Sequence, residues 1–472
     1  MTFNSNEFNK STEINENSAS NRTLKVDQNL NEFNTVAFMT LGCKTNQYET
    51  DALMDLFHRN GNLIVDFDEI ADIYIINTCT VTQVSDKKSR QMIRRAKKQN
   101  PNAITIVMGC YAQISPDEVA SLEGVDIVLG TNERYKILDY ISDVQNKRVQ
   151  IPLVIVEDIG KVNIFEDMQL NDLHVHTRAF IKIQEGCNQF CSYCIIPYAR
   201  GRVRSRHLDQ VVKEITKLVS AGYVEFVLTG IHIGSYGKDF EDISLIDLIE
   251  AIHQITGVKR IRLGSLEPTL IDELFVERLA KLPKVCDHFH LSLQSGSNTV
   301  LKRMNRKYLK EDFKSAVNRL RNIYENPAIT TDIIVGFPGE TALEFEETKA
   351  FVSEIGFSEL HVFPFSPRKG TPAATMPDQV DNALKKFRSE NLISIGSMEH
   401  LSYQEIFIGK SLEIILEEFK NGFWIGHATN YLKVAVNSDN SSFKSGKSIN
   451  VEGLALKDGQ LFGRLVQNHE ND

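Results

Sequence analysis

Short apolar runs alternate with amphipathic helical patterns over most of the chain. The first four runs, within residues 36–141, are VAFMTLG, DIYIINT, AITIVMG and VDIVLG. Between them, apolar residues recur at the three- and four-residue spacing of helices. Strands that alternate with helices predict a parallel sheet covered by helices on both faces. We therefore expect residues 35–146 to form a doubly wound parallel α/β domain.

Six further strand-like runs follow, most of them with a helical pattern behind them. They are RAFIKIQEG, VEFVLTG, RIRLGSL, HFHLSLQS, ITTDIIVG and ELHVFPFS. Successive β/α units predict a partial (β/α)6 barrel over residues 176–401, with functional side chains at the carboxyl ends of its strands. A flat doubly wound sheet is the alternative that the pattern leaves open. Short alternating strands separated by Asn, Gly and Ser turns then predict a small β-barrel over residues 402–472.

Composition limits the kind of protein that these elements build. The chain has 472 residues, of which 42% are hydrophobic and 24% charged, and no apolar stretch is long enough to span a membrane. Residues 1–34 hold nine Asn and few large apolar residues, so we expect a disordered tail without a secretory signal, and a cytoplasmic protein. Residues 147–175 are expected to be a linker with a short extended piece. A net charge of −9 restricts any nucleic-acid contact to local basic patches.

Seven cysteines without an export signal indicate metal or redox chemistry rather than disulfides. Cys187, Cys191 and Cys194 follow the first barrel strand with C-x-x-x-C-x-x-C spacing. Zinc sites of the structural kind take four ligands, so three thiols in one tight loop fit better an iron–sulfur cluster with one open iron. The alternative is a zinc site completed by a distant histidine or by Cys286. Otherwise we expect Cys286 to lie in the core.

The other three cysteines are far apart in the chain but occupy equivalent positions. Cys43, Cys79 and Cys110 each come just after a strand-like run. Because the carboxyl ends of neighbouring parallel strands meet at one crevice, these thiols are predicted to form a second three-cysteine site. The alternative is that they are small buried residues of the core.

Both trios lie in motifs that resemble one enzyme family. EGCNQFCSYCIIPYARGR resembles the cysteine loop of radical S-adenosylmethionine (SAM) enzymes, and TLGCKTNQYET, NTCTVT and MGCYAQ resemble the N-terminal motifs of the methylthiotransferases. NYLKV is similar to part of their C-terminal, RNA-binding TRAM barrel. Over residues 35–470 the resemblance implies two [4Fe–4S] clusters, with Cys43, Cys79 and Cys110 holding the auxiliary one and Cys187, Cys191 and Cys194 the radical SAM one. It also implies two SAM per turnover: one methylates a sulfur at the auxiliary cluster, and the other starts a radical step at carbon 2 of an adenine.

The substrate follows from smaller details of the same resemblance. LGCKTNQYET resembles the branch that acts on N6-threonylcarbamoyladenosine at position 37 of tRNA. The implied partners are a tRNA anticodon stem-loop, an electron donor such as flavodoxin or ferredoxin, and an unidentified sulfur donor. Other branches modify isopentenyladenosine in tRNA or an aspartate of a ribosomal protein. A hypothesis of another class is a non-catalytic iron–sulfur scaffold that binds RNA.

Residues other than the cysteines are also predicted to contact the cofactor or the RNA. By resemblance and by their position near barrel strand ends, the predicted SAM contacts are Tyr193, Thr229, Gly230, Ser265, Glu267, Gln294, Arg306, Val335 and Gly336. Alternatively, any of these is a turn or capping residue. A basic helical segment, the alternating arginines at 200, 202, 204 and 206, and the TRAM-like barrel supply the predicted RNA contacts, namely Arg94, Arg95, Lys98, Arg202, Trp424, Tyr431 and Lys433. The alternatives are a solvated helix face and, for the arginines, support of the cluster loop or of the cofactor carboxylate.

Overall fold

The computed structural model describes residues 34–147, 152–171, 177–437 and 443–466. The predicted tail lies outside the described residues except for Asn34. The chain divides into two compact units: the first holds the described residues before 174 together with Tyr198–Gly201, and the second holds the others. In the part of the chain so described, no helix is both long and apolar enough to cross a membrane.

The first unit is built on a parallel sheet. Its strands are β1 (Thr35–Thr40), β2 (Leu63–Val65), β3 (Ile73–Thr78), β4 (Ile104–Gly109), β5 (Ile127–Leu129) and β6 (Leu153–Ile155). Its helices are α1 (Lys44–Arg59), α2 (Gln83–Gln99), α3 (Cys110–Ile114), α4 (Pro116–Ala120) and α5 (Ile137–Lys147). The strands pair in the order β2-β1-β3-β4-β5-β6, all parallel.

This sheet confirms the predicted doubly wound α/β fold. Strands β3 and β4 are buried along their whole length, which explains why they read as continuous apolar runs. Strand order reverses at β1, the feature that separates a doubly wound sheet from a singly wound one. The short extended piece that was expected within residues 147–175 is β6, which pairs with β5 at the edge of the sheet.

The second unit begins with parallel β/α units. Its first strands are β7 (Ala179–Glu185), β8 (Arg204–Ser205), β9 (Glu225–Gly230), β10 (Arg260–Leu263), β11 (His288–His290), β12 (Ala328–Val335) and β13 (Glu359–Pro364). Its helices are α6 (Ile196–Arg200, shared with the first unit), α7 (Leu208–Ser220), α8 (Leu245–His253), α9 (Glu273–Leu279), α10 (Asn298–Arg303), α11 (Lys310–Ile323), α12 (Ala342–Ile355) and α13 (Asn382–Glu405).

These strands follow one another in space as they do in sequence. Apart from β8, an antiparallel neighbour of β7, the order is β7-β9-β10 in one sheet and β11-β12-β13 in another. Parallel bridges Ile261↔Val285 and Leu266↔Leu291 connect the two sheets. Because the order never reverses, the strands wind in one direction, as in a barrel and unlike a doubly wound sheet. The predicted partial barrel is confirmed.

A closed β-barrel ends the described chain. Its strands are β14 (Ser411–Lys420), β15 (Phe423–Ala428), β16 (Lys433–Asn437), β17 (Ser448–Lys457) and β18 (Gln460–Leu465), in the order β14-β15-β16-β18-β17. Alternate side chains fill its interior, among them Ile414, Leu416 and Val434. Arg262 of β10 fixes this barrel to the preceding strands by donating to the carbonyls of Ala428 (2.6 Å) and Thr429 (2.7 Å).

Candidate metal centres

Cys43, Cys79 and Cys110 lie at the carboxyl ends of the neighbouring strands β1, β3 and β4. Cys79 follows β3 directly, Cys110 opens α3 directly after β4, and Cys43 is the N-cap of α1. A β-carbon added to Gly42, whose φ is +111°, would lie 2.8 Å from Cys79 Cβ and 3.1 Å from its Sγ. Glycine at this position therefore allows the loops of Cys43 and Cys79 to approach each other.

Burial favours the protonated form of Cys79 and Cys110. Burial, with smaller contributions from the charges of Cys79 and Cys43, raises the pKa of Cys110 to about 12. Burial is also the main cause of the raised pKa of Cys79. The guanidinium of Arg200 acts in the opposite direction, and its Nε donates to Cys110 Sγ over 3.1 Å. Arg200 thus favours the thiolate form that a metal requires.

Arg200 is held in place by a buried polar network of the first unit. Its Nη2 donates to Asn46 Oδ1 (2.6 Å) and to Glu49 Oε2 (3.1 Å), and its Nη1 also binds Glu49. Glu49 binds a second guanidinium, Arg134 Nη1, at 2.6 Å. Asn46 donates to the carbonyl of Thr78, the residue before Cys79. The network connects the cysteine loops and satisfies the charges buried among them.

The second trio lies in the loop between β7 and α6. The backbone N–H of Gln189 donates to Cys187 Sγ (3.4 Å), and Nη1 of Arg306 donates to Cys191 Sγ (3.2 Å). Burial raises the pKa of Cys187 to about 11 and that of Cys194 to about 12. Each of the three thiols has a charge interaction with at least one other member of the trio, so the loop directs them toward a common region.

The thiols of neither trio are gathered at the spacing of a single-ion site. Zinc–sulfur bonds of about 2.3 Å require the ligand atoms to lie close together. Among the described residues, neither cysteine trio has all its ligand atoms within 4.8 Å of one another. Cys286 is 2% exposed and lies beside Arg262, which confirms its predicted place in the core and argues against a role in completing a zinc site. Both donor sets suit the larger [4Fe–4S] group.

Comparisons with known proteins agree with this geometry. The model of the Radical SAM superfamily matches residues 181–352, and that of Uncharacterized protein family UPF0004 matches residues 35–130. The threonylcarbamoyladenosine tRNA methylthiotransferase MtaB of Bacillus subtilis is 47% identical over 443 residues, covering 92% of this chain and 97% of the relative. A tRNA-2-methylthio-N(6)-dimethylallyladenosine synthase of Clostridium botulinum is 36% identical, covering 80% and 85%. The chain belongs to the radical SAM methylthiotransferase family.

A solved structure supports the fold of this methylthiotransferase. The radical SAM methyltransferase TsrM of Kitasatospora setae, with cobalamin and a [4Fe–4S] cluster bound, aligns with a TM-score of 0.53 at 15% identity, covering 72% of this chain and 74% of that one. At this identity the likeness concerns the fold alone. Membership of the radical SAM superfamily implies one [4Fe–4S] cluster and SAM as cofactors.

The predicted SAM contacts of the methylthiotransferase lie at or beyond the carboxyl ends of barrel strands. Thr229 and Gly230 end β9, and Gly336, with φ +67°, follows β12. Gln294 has φ +72° and is half-buried beyond β11. Val335 is fully buried, so only its backbone is available to a ligand. Of the other four predicted residues, Ser265 is exposed, and Glu267 and Arg306 lie beside the cysteine loop. Tyr193, within the loop, packs edge-on against Phe337.

Glu267 and Arg306 belong to a polar network that the sequence analysis only partly found. Glu267 contacts Arg306 Nη2 (3.1 Å), His232 Nε2 (3.1 Å) and Gln189 Nε2 (2.9 Å). Burial tends to raise the pKa of Glu267, but the hydrogen bond from His232 and the charges of His232 and Arg306 outweigh it and lower the pKa. Arg306 Nε donates to the Tyr308 hydroxyl (2.9 Å). Gln189, His232 and Tyr308 were not predicted, although Gln189 lies within the recognised cysteine motif and the other two lie two residues beyond Gly230 and Arg306.

The basic segments separate into exposed and buried residues. Arg94, Arg95 and Lys98 are exposed on α2, although Arg95 forms an ion pair with Asp68. Arg202 is exposed and lies 4.7 Å above the Phe190 ring. The possibility that the whole arginine series holds RNA is wrong, because the side chains at positions 200, 204 and 206 are buried. Arg206 pairs with the buried Glu214 of α7 and Arg200 with the buried Glu49, so these two arginines have structural ion pairs.

In the C-terminal barrel, only part of the predicted RNA surface is accessible. Lys433 is exposed and Trp424 is half-buried against the barrel core. Tyr431 was predicted to stack on RNA, but its ring is stacked by His288 (5.0 Å) and His427 (4.8 Å), with guanidinium groups nearby. These intramolecular contacts occupy the ring and correct that prediction: Tyr431 joins the barrel to the strands of the SAM core.

Proposed function

We propose that this methylthiotransferase converts N6-threonylcarbamoyladenosine at position 37 of tRNA into its 2-methylthio derivative. The observation that carries the proposal is the difference in sequence identity to two relatives. Identity is 47% over 92% of the chain to the Bacillus subtilis protein named for threonylcarbamoyladenosine, and 36% over 80% to the Clostridium botulinum protein named for dimethylallyladenosine. The LGCKTNQYET motif points in the same direction.

In this proposal the two cysteine trios hold two clusters with different tasks. When bound, the cluster at Cys187, Cys191 and Cys194 and its SAM supply the radical that activates carbon 2 of the adenine, and the cluster in the first unit supplies the sulfur. Support for the second cluster is the position of its three thiols at adjacent strand ends, together with the guanidinium that Arg200 places against Cys110.

The protein's own groups position the SAM and stabilise the thiolates of the barrel site. Arg306 places its guanidinium between Cys191 Sγ (3.2 Å) and Glu267 Oε1 (3.1 Å), so that one positive charge serves both. The carboxylate of Glu267, kept ionised by His232 and Arg306, suits a contact with a cationic or hydroxyl-bearing part of SAM. Of the other predicted SAM contacts, Gly230 and Gly336 have only backbone groups to offer a ligand.

The RNA contacts and the electron donor are proposed from the charge and the redox chemistry that the reaction requires. Exposed cations of α2, with Arg202 and Lys433, supply the positive charge that phosphate contacts need on an acidic protein. A small one-electron protein such as flavodoxin or ferredoxin is the proposed electron donor, and the molecule that brings sulfur to the first unit's cluster is left unassigned.

Methylthiolation of defined stem-loops tests the proposal. The protein is reconstituted anaerobically with iron and sulfide, reduced with dithionite and given SAM, and incubated with stem-loops bearing threonylcarbamoyladenosine, isopentenyladenosine or adenosine at position 37. We expect about eight irons per chain and nucleoside mass spectrometry showing a methylthio product from the first stem-loop. Cys79→Ala should abolish the product, and Cys286→Ala, a buried cysteine outside both trios, should not. Preference for isopentenyladenosine would contradict the substrate, and no product with any RNA would favour a scaffold or a protein target.

A further inference from the structure

Three metal-ligating or hydrogen-bonding side chains converge on strands β11, β12 and β13, outside both cysteine loops. They are His290, Asp332 and His361, and their ligand atoms all lie within 4.8 Å of one another. Asp332 and His361 are direct partners in the β12–β13 register, and His290 pairs with Thr330, two residues before Asp332. Since residues that pair directly, and residues two apart in a strand, share a face, the three side chains project from the same side of the sheet.

That side is the inner face of the partial barrel, the face turned away from the helices. Leu360, next to His361, packs against α13: a β-carbon added to Gly396 would lie 2.8 Å from Leu360 Cβ. Consecutive residues of a strand point to opposite faces, so His361 points inward. Asp332 and His290 share that direction.

The three side chains form a polar layer inside the partial barrel. The layer lies between the strand beginnings, where the inner face is closed and forms a floor, and the carboxyl ends of the strands, where SAM is predicted to bind (the cofactor end). On the same strand as His290, His288 stacks on Tyr431 of the C-terminal barrel at 5.0 Å, which closes the inner face at the strand beginnings. In the other direction, the backbone N–H of Gln294, a predicted SAM contact, donates to the carbonyl of Asp332 (2.9 Å). A ligand that enters from the cofactor end therefore meets these three side chains before it meets the floor.

Some hydrogen-bonding groups of these three side chains are available to a ligand. His290 uses both ring nitrogens, Nδ1 with Thr330 Oγ1 (2.9 Å) and Nε2 with Asp332 Oδ2 (3.2 Å). His361 stacks on the His290 ring at 6.0 Å, and within residues 177–437 its ring nitrogens have no hydrogen-bond partner. The side chains of His290 and Asp332 are 14% and 32% exposed. The layer is thus accessible, with His361 as donor and the second oxygen of Asp332 as acceptor.

We propose that His361, Asp332 and His290 form the recognition site for the threonylcarbamoyl group of the target adenosine. The threonyl carboxylate accepts a hydrogen bond from His361, and a hydroxyl or ureido N–H donates to Asp332. His290 is a positioning residue that supports the His361 ring by stacking and orients Asp332. This inference rests on the proposed function and adds to it the residues that select the substrate.

The same site rejects an apolar modification. An isopentenyl group has no donor or acceptor, so it would remove water from His361 and Asp332 without replacing the lost hydrogen bonds. Sites built to hydrogen-bond a polar substrate group discriminate strongly against analogues that lack it. The trio therefore acts as a specificity determinant and takes no part in SAM cleavage.

Substitution of His361 separates recognition from chemistry. His361→Phe keeps a ring that stacks on His290 but removes both nitrogens, and His361→Gln keeps a donor. His253→Phe is the matched control, because His253 ends the outer helix α8 and its ring nitrogens also have no hydrogen-bond partner in the described chain. Each protein is assayed for stem-loop affinity by fluorescence anisotropy, for kcat/KM on the threonylcarbamoyl and isopentenyl stem-loops, and for SAM cleavage without RNA.

We expect His361→Phe and Asp332→Asn to lower kcat/KM and affinity for the threonylcarbamoyl stem-loop about 10- to 100-fold, the usual effect of losing a hydrogen bond to a charged group. His361→Gln should recover part of the loss, and His253→Phe should match the wild type. Turnover of the isopentenyl stem-loop and SAM cleavage should not fall.

Unchanged kcat/KM for the threonylcarbamoyl stem-loop in both His361→Phe and Asp332→Asn would overturn this inference and leave the proposed function intact. A second result would also overturn the inference: calorimetry shows that the wild type binds Zn²⁺ through these residues, and their substitution leaves RNA turnover unaffected. The trio would then be a metal site. A wild type that prefers the isopentenyl stem-loop would overturn both proposals.

Discussion

Replacing Arg200 with methionine removes a buried cation from the cysteine centre of the first unit while keeping a side chain of similar length. Arg200 and Glu49 have no exposed side-chain surface, and the guanidinium donates to Glu49, Asn46 and Cys110. Breaking a buried ion pair by removing one partner costs about 3–5 kcal/mol. Arg134 still neutralises Glu49. We therefore expect the free energy of unfolding of this unit to fall by about 3 kcal/mol, the lower end of that range.

Hydrogen exchange of the apoprotein measures this loss locally. In the regime where exchange follows the opening equilibrium, about 3 kcal/mol corresponds to exchange more than 100-fold faster in the most protected amides of α1. Arg202→Met is the control, since that arginine is exposed and stacks on Phe190, and its loss should change exchange less than about fivefold. Arg200→Lys keeps the charge but not the planar donor fork, and should fall between them. Equal protection of α1 in the Arg200→Met and Arg202→Met proteins would refute the reasoning.

The remaining predictions concern the clusters, RNA binding and the loss of stability at acid pH. Cys187→Ala should lose SAM cleavage, measured as 5′-deoxyadenosine, and normal cleavage would contradict its assignment. Cys79→Ala should keep slow SAM cleavage but form no methylthio product, and a normal product yield would exclude a second cluster at this site. Charge reversal at Arg94 and Lys98 should weaken tRNA binding and flatten its salt dependence without changing RNA-free SAM cleavage; unaltered affinity in moderate salt would return α2 to a solvated face. Hydrogen bonds from Arg303, chiefly, lower the pKa of Glu344 from 4.5 to about 2, so its stabilising contribution is complete above pH 4.5 and is lost as the pH falls toward 2. In denaturant unfolding at pH 5 and pH 3, Glu344→Gln should show a smaller acid destabilisation than the wild type, and an equal loss would contradict this.

Periodicity predicted the parallel strands and the equivalent positions of the N-terminal cysteines because buried strands are continuous apolar runs whose ends meet at one edge. It predicted a short extended piece within residues 147–175 but not that this piece, β6 (Leu153–Ile155), pairs with β5 and extends the sheet. A short, partly exposed edge strand leaves no strong pattern in the sequence.

The arginines after the cysteine loop show why tertiary structure was needed. Alternation at positions 200, 202, 204 and 206 is the pattern of an exposed basic strip, since arginine is rarely buried without a partner. Glu49, which neutralises Arg200, is 151 residues away in the chain, so no local pattern indicates the pair. His361 was missed for the same reason: its relation to Asp332 and His290 exists only through the pairing of three strands.

Nucleoside mass spectrometry of tRNA from a strain that lacks this protein tests the central claim most directly. We predict that 2-methylthio-N6-threonylcarbamoyladenosine disappears, that N6-threonylcarbamoyladenosine accumulates, and that the methylthio derivative of isopentenyladenosine is unchanged. Restoration by the wild-type chain and by Cys286→Ala, but not by Cys79→Ala, should accompany this result. Loss of the methylthio isopentenyl nucleoside with the threonylcarbamoyl derivative intact would contradict the account.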